Sequence, residues 1–407
     1  GFLTLGSLGS RTMLADSAAD RDPAHPQATH EQVTLIKCVG DEGVTLAVNS
    51  FCLSADGALL AGCGTGPGEI WVFSPDGGES IAKWDVPVRP EAVDCSPDGM
   101  ILVAGEGQLF KFEPNGALLH RGEAPHAVLI HDSGDAIRQE VEEKAQSQVQ
   151  IYDDQIKAYR RQIEDLERSR EGGKLSRIDQ RRIASFDQTI KQLEQVRDRY
   201  SAEQLAEEEI AERVKAITDR RLRTASISQA GETIYLAAPA MTGYGFDIWK
   251  MDDHFADGEM IVSDLRGCGG QMDVQACAGR FYVAENARHR VVCFDTAGAE
   301  IAAWGGRDRV SGFSSCCNPM NVAFGPTGDV YTAESTTGRV KRFDPQGELV
   351  EYVGAVDLVA GCKNVSIAVS ADGNEVYMLD ITRSHIIVLE RKSDDASAAQ
   401  AGGNADS

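Results

Sequence analysis

A strand-and-turn unit recurs along this chain, and that recurrence constrains the fold more than any other feature. Its third strand runs into a turn in EIWVFSPDG (69–77), QLFKFEPNG (108–116), RVVCFDTAG (290–298) and RVKRFDPQG (339–347), with looser copies in DIWKMDDHF (247–255) and HIIVLERKS (385–393). A small-residue turn and a second strand precede each copy, as in QACAGRFYVAEN (275–286) and GPTGDVYTAES (325–335). The unit is therefore four short strands in roughly 35 to 45 residues. A sheet that small cannot bury its two faces alone and must stack radially on its neighbours.

The units resemble NHL repeats, whose second strand often ends Tyr-Val-Ala-Asp before a Gly/Asn-Arg turn. Tyr282-Val283-Ala284-Glu285 and Tyr331-Thr332-Ala333-Glu334 stand in that place. The resemblance covers 270–355 well and 49–122 and 363–391 fairly. Counting strands predicts an all-β, six-bladed β-propeller with blades near 49–86, 91–122, 221–265, 270–304, 319–353 and 364–391. The last unit supplies only three strands, so Gln32–Cys38 is expected to add its outer strand and close the ring, which removes exposed sheet edges.

The expected organisation is a leader over 1–30, propeller over 31–122, a helical insertion over 123–220, propeller again over 221–392, and a disordered tail over 393–407. The opening GFLTLGSLGS reads as the apolar tail of an export signal, with a tag remnant or disordered leader as the alternative. Export would place the chain in the periplasm or another extracytoplasmic compartment, where its ten cysteines meet oxidising conditions. A net charge of −23 argues against nucleic acid as a partner. No apolar run approaches the roughly 20 residues of a membrane span.

Between the second and third blades the period changes from two to heptads. Val149, Tyr152, Ile156, Tyr159, Ile163 and Leu166 step by three and four residues along one helical seam. A helix over about 135–170 would run roughly 54 Å and break at Glu171-Gly172-Gly173-Lys174. Leu175, Ile178, Phe186, Ile190, Leu193, Val196 and Tyr200 carry a return helix, and Ser201 with Gln204 reads as a capping box for a third. The expectation is an inserted α-helical coiled-coil hairpin that docks a protein partner. A spacer, or a dimerisation element that would make the chain a homo-oligomer, are the alternatives. Pro125–Gly134 reads as an inner strand and turn. Four strands downstream already complete the third blade, so the insertion is placed in the connection between blades 2 and 3.

Cys268, Cys317 and Cys362 occupy one register, just ahead of the inner strands of blades 4, 5 and 6. With Cys316 and Cys63 they are expected at one mouth of the central channel, a donor set suited to copper, zinc or an iron–sulfur cluster. Met320 adds a thioether, and His126, with His131, could reach the same region from the root of the insertion. Loop-to-loop disulfides and plain burial are the competing readings. Cys38, Cys52, Cys95, Cys277 and Cys293 read as structural, and Glu285, Glu334 and Asp380 as turn formers.

Six-bladed propellers of related shape include calcium-dependent lactonases and zinc-dependent lyases. The ring Asn49, Glu91, Arg223, Gln271, Met320 and Val365 is too sparse in carboxylates for the first and holds no histidine for the second. The reading is a non-catalytic or electron-transfer module, holding a soft metal or redox cluster and engaging a redox or cofactor-assembly partner. A disulfide-linked interaction scaffold and a metal-dependent hydrolase or lyase stand as alternatives.

Overall fold

A computed structural model describes residues 27–40, 42–75, 78–169, 174–201, 207–315, 317–359 and 361–393. The expected leader up to residue 26 and the tail from 394 lie outside the described residues. Among the described residues the strands form six four-stranded antiparallel sheets. Five take their strands in chain order within 48–86, 92–123, 226–265, 273–305 and 321–355. The sixth has three strands, Ile367–Val369, Glu375–Asp380 and His385–Arg391, and takes His30–Ile36 as its fourth. His30 faces Arg391 and Ile36 faces Ile386, with one irregularity between Gln32 and Thr34.

The inner strands Val48–Leu53, Ala92–Cys95, Ser226–Ala230, Asp273–Cys277, Asn321–Phe324 and Ile367–Val369 meet in that order, and the last meets the first. The ring is closed, and the unit is a six-bladed β-propeller. Turns such as 96–99 punctuate the strands. There the Gly99 N–H donates to the Ser96 carbonyl at 2.9 Å, with Gly99 at φ +82°, where a side chain is disfavoured.

The alternating strands bury both faces, so the core divides into wedges between blades. Phe51 and Trp71 of blade 1 pack against Tyr377 and Leu379 of blade 6, and on the other face Leu60 and Ile70 meet Val103 and Phe110 of blade 2. The other wedges repeat this, ending with Tyr331 and Val340 of blade 5 against Met378 and Ile387. Each such side chain contributes about 1.5–3 kcal/mol when buried, which a lone blade would forgo. Polar pins join the inner strands as well. Ser50 Oγ accepts the Val93 N–H at 3.2 Å, Asp94 accepts that of Gln229 at 3.1 Å, Asp273 that of Val322 at 2.8 Å, and Asn321 that of Ile367 at 2.9 Å. These are edge N–H groups that would otherwise be buried without an acceptor.

The described residues up to Val128 and from Arg221 form one compact unit, and Leu129–Arg220 form a second. Among the described residues four α-helices follow one another between Pro125 and Leu222: α1 (Pro125–Asp132), α2 (Gly134–Arg168), α3 (Arg177–Tyr200) and α4 (Glu207–Leu222). The expected strand at Pro125–Gly134 is therefore helix α1. Pro125 has no N–H for a sheet ladder but suits the first helical position, and the Ala127 N–H closes the first turn on Ala124. Helices α2 and α3 make a long antiparallel hairpin, with Tyr152 stacked on Tyr200, Tyr159 tilted against Phe186, and Ile156 and Ile190 buried. Ser176 caps α3 by accepting the Asp179 N–H at 3.1 Å. Ile210 of α4 packs on Val141 and Ala145 of α2. Gly172, Gly173 and Gln204, in the expected break and capping box, lie outside the described residues. No described helix is long and apolar enough to cross a membrane.

Candidate metal centre

Strand direction alternates within a blade, so every connection ahead of an inner strand emerges at the same end of the propeller. Cys268, Cys317 and Cys362 sit on three successive connections of this kind, and the insertion is rooted in another. Each cysteine-bearing connection is tied down by a buried carboxylate from the end of the next blade's second strand. Glu285 Oε1 accepts the Arg266 N–H at 2.9 Å, Glu334 Oε2 accepts the Ser314 hydroxyl at 2.9 Å, and Asp380 Oδ2 accepts the Val359 N–H at 3.1 Å. The repeated acids thus anchor loops, using lone pairs that a metal would otherwise take.

Two asparagines finish the placement. Buried Asn286 accepts the Cys268 N–H at 2.7 Å and donates to the Gln271 carbonyl at 2.9 Å and to Met320 Sδ at 3.3 Å. Asn318, next to Cys317, donates to the Ser314 carbonyl at 2.7 Å and accepts the Ser335 N–H at 3.0 Å. Gly269 has φ +69°, and a Cβ there would stand 2.9 Å from the Cys362 carbonyl oxygen. The blade 4 connection is therefore pressed against that of blade 6.

These contacts bring the three sulfurs within 4.8 Å of one another. Cys317 Sγ is the centre of the group, 2.6 Å from Cys268 Sγ and 2.7 Å from Cys362 Sγ. Cys317 is buried, Cys268 half-buried and Cys362 exposed. Cys317 also has φ +65°, a backbone conformation costing on the order of 1–3 kcal/mol for a residue with a side chain. Sulfurs this close lie between a disulfide, at about 2.05 Å, and thiolates about 2.3 Å from one shared ion, which stand roughly 4 Å apart. Small side-chain rotations separate the two arrangements.

The other expected ligands are not all brought to this point. Cys63 is fully buried in the wedge between blades 6 and 1, beside Cys38. The Cys38 thiol, followed by burial, pushes the Cys63 thiol well above the ordinary range. It ends the second strand of blade 1 and faces the core. Met320 packs in the same wedge as Cys317 and Cys268, but its sulfur is engaged by Asn286. His126, in the first turn of α1, is fully buried, its Nε2 3.4 Å from the Leu222 carbonyl. Burial lowers its pKa to about 4, so it is neutral at pH 7, at the junction of blades 2 and 3 and away from the thiols. His131 lies exposed at the end of α1. Cys316 lies outside the described residues. Cys38, Cys52 and Cys293 are buried, and Cys95 and Cys277 partly so.

The channel ring does not form a calcium cradle. Asn49 donates to the Gly64 carbonyl and accepts from Arg89, while Glu91 accepts the N–H groups of Thr224 and Glu106 and faces Arg223 at 3.5 Å. Burial raises the pKa of Glu91, which further weakens it as a cation ligand. Sequence reasoning missed Asn286 and Asn318. The signal available was their position, one residue beyond a repeated acid and one residue beyond a cysteine.

No family model matches the chain, and no curated protein matches it. Among solved structures, the β-propeller domain of Cps50 (Swd1) from Myceliophteria thermophila aligns at 8% identity over 89% of this chain and 100% of that chain, with a TM-score of 0.42. A structural-genomics protein of unknown function from Bacteroides thetaiotaomicron aligns at 8% identity over 89% of this chain and 72% of that chain, with a TM-score of 0.48.

Proposed function

We propose that this chain is an exported, NHL-type propeller that holds a single soft metal ion on the thiolates of Cys268, Cys317 and Cys362, and that its helical hairpin engages a protein partner. One observation carries the reading: three connections from three blades deliver three sulfurs to within 4.8 Å at one end of the channel. Packing alone gives no account of three thiols from three blades, one of them exposed, meeting at one point, and the left-handed backbone at Cys317 is a local cost tolerated at a point of use.

The donor set fits copper(I) or zinc, since thiolates select soft and borderline ions. A cluster whose thiolates bind different iron atoms spreads its sulfurs farther than one ion does, so the tight spacing favours one ion over an iron–sulfur cluster. With copper such a centre would serve electron transfer, and with either ion it would serve the assembly of a metal cofactor in a partner. The helices of Leu129–Arg220 form a unit of their own, which supports a docking role, because the ring of blades closes without them.

Metal analysis of protein purified without reductant or added metal tests the reading. The expected content is about one equivalent of copper or zinc, falling about tenfold or more in Cys317→Ala. Less than roughly a tenth of an equivalent of copper, zinc or iron in the unmodified chain would sink it. A disulfide-linked interaction scaffold is then the better reading, favoured by the short separations around Cys317.

A further inference from the structure

The three thiols differ in exposure and in connectivity, and the difference is ordered. Cys317 is in reach of both others, at 2.6 and 2.7 Å, and is only 1% exposed. Cys362 is the exposed member. Building on the metal-site reading, we propose that the same site is an oxidation switch: Cys362 takes a peroxide, Cys317 closes a disulfide onto it, and the bound ion is released.

The chemistry balances with a hydroperoxide as oxidant. The Cys362 thiolate attacks one peroxide oxygen, an S–O bond forms, the O–O bond breaks, and the leaving hydroxide or alkoxide takes up a proton. The sulfenic acid at Cys362 is then attacked by the Cys317 sulfur, an S–S bond forms, the S–O bond breaks, and water leaves with the Cys317 proton. Two thiols lose two electrons, and the peroxide is reduced to water, or to an alcohol and water. The closing movement is small, because a 2.7 Å separation needs to shrink by roughly 0.7 Å to reach bonding distance. Burial at 1% keeps Cys317 from meeting the oxidant first.

The product joins the connection ahead of blade 5 to that ahead of blade 6 and removes two of three ligands at once. Cys268 remains a thiol within 4.8 Å of both sulfurs, placed to attack the new disulfide at Cys317 and to pass the bond on during reduction. A bound ion holds all three sulfurs as ligands, so the loaded site should oxidise more slowly than the empty one.

The test uses the full chain with Cys316→Ser, so that a cross-linked peptide reports Cys317 alone. The reduced, metal-free protein is treated with one equivalent of hydrogen peroxide, alkylated without reduction, and mapped by mass spectrometry. The expected result is a Cys317–Cys362 cross-link with Cys268 alkylated, and zinc or copper binding lost about tenfold or more until dithiothreitol restores it. Alkylation of all three thiols, over-oxidation of Cys362 without a cross-link, or a direct Cys268–Cys362 bond would each overturn the switch. Cys268→Ser separates the two readings: it is expected to lose metal affinity but keep the cross-link. A reduced chain that binds no metal yet forms the cross-link refutes the metal reading, and with it ion release.

Discussion

Lys341 and Glu334 form a fully buried ion pair at 2.9 Å directly behind the connection that carries Cys317. The ammonium also donates to the Gly312 carbonyl at 2.6 Å and to the Arg309 carbonyl at 3.2 Å, while the Glu334 carboxylate receives the Ser314 hydroxyl. Lys341→Met keeps most of the side-chain volume but leaves a buried carboxylate without its cation. Breaking a buried pair in this way costs about 3–5 kcal/mol, against about 1.5–3 kcal/mol for either charge-assisted hydrogen bond to a carbonyl, so the charge effect is the largest single loss. For a domain of this size the thermal midpoint should fall on the order of 10 °C. The local effect is more telling. Freed from Lys341, the 306–317 segment should expose Cys317, and its reaction with a thiol reagent should outpace that of the unmodified chain while circular dichroism at 25 °C is unchanged. Lys341→Met with Glu334→Met removes both charges and should recover part of the midpoint, the Gly312 and Arg309 carbonyls still lacking their donor, and none of the slow thiol reactivity. A single variant within about 1 kcal/mol of the unmodified chain, or a double variant as unstable as the single, would refute the account of this pair.

Two further outcomes follow from the same geometry. Burial raises the pKa of Asp94 to about 7, so its contribution to stability is complete below the ordinary aspartate range near 4 and is lost as pH rises through about 7. The loss is on the order of 4 kcal/mol, and Asp94→Asn, which can still accept the Gln229 N–H, should flatten the fall in thermal midpoint between pH 5 and pH 8; an unchanged slope would remove Asp94 as its source. Gly269→Ala must relieve a 2.9 Å contact with the Cys362 carbonyl from a backbone at φ +69°, so it should push the blade 6 connection away and lower metal affinity about tenfold without unfolding the propeller, as read by metal titration and circular dichroism.

The blades were legible because each repeats a period-two strand ahead of a glycine turn, a local pattern that survives in any packing. The meeting of Cys268, Cys317 and Cys362 was legible for a related reason: a shared register in a repeat becomes a shared position in a ring. Cys63 was not, because membership of the right end of a blade says nothing about which way a side chain faces, and the closing segment brings Cys38 against it from outside the repeat. His126 failed similarly. Its segment alternates well enough for a strand, but Pro125 is compatible with a helix start and the ladder had no place for it. The roles of Asn286 and Asn318 depend on hydrogen bonds between connections, which no single-residue pattern encodes.

The pairing of His30–Ile36 with His385–Arg391 also sets an order of events during synthesis. The first of these strands leaves the ribosome long before the second exists, while the contacts within α2 and α3 can form as soon as those helices emerge. Until blade 6 is made, His30–Ile36 remains a half-apolar strand with no partner, open to wrong pairings. Cys38 travels just behind it. Cys362 is made after all but the last three strands, so the connections bearing Cys268, Cys317 and Cys362 come together late, and under the proposed reading a metal supplied too early would find separate thiols.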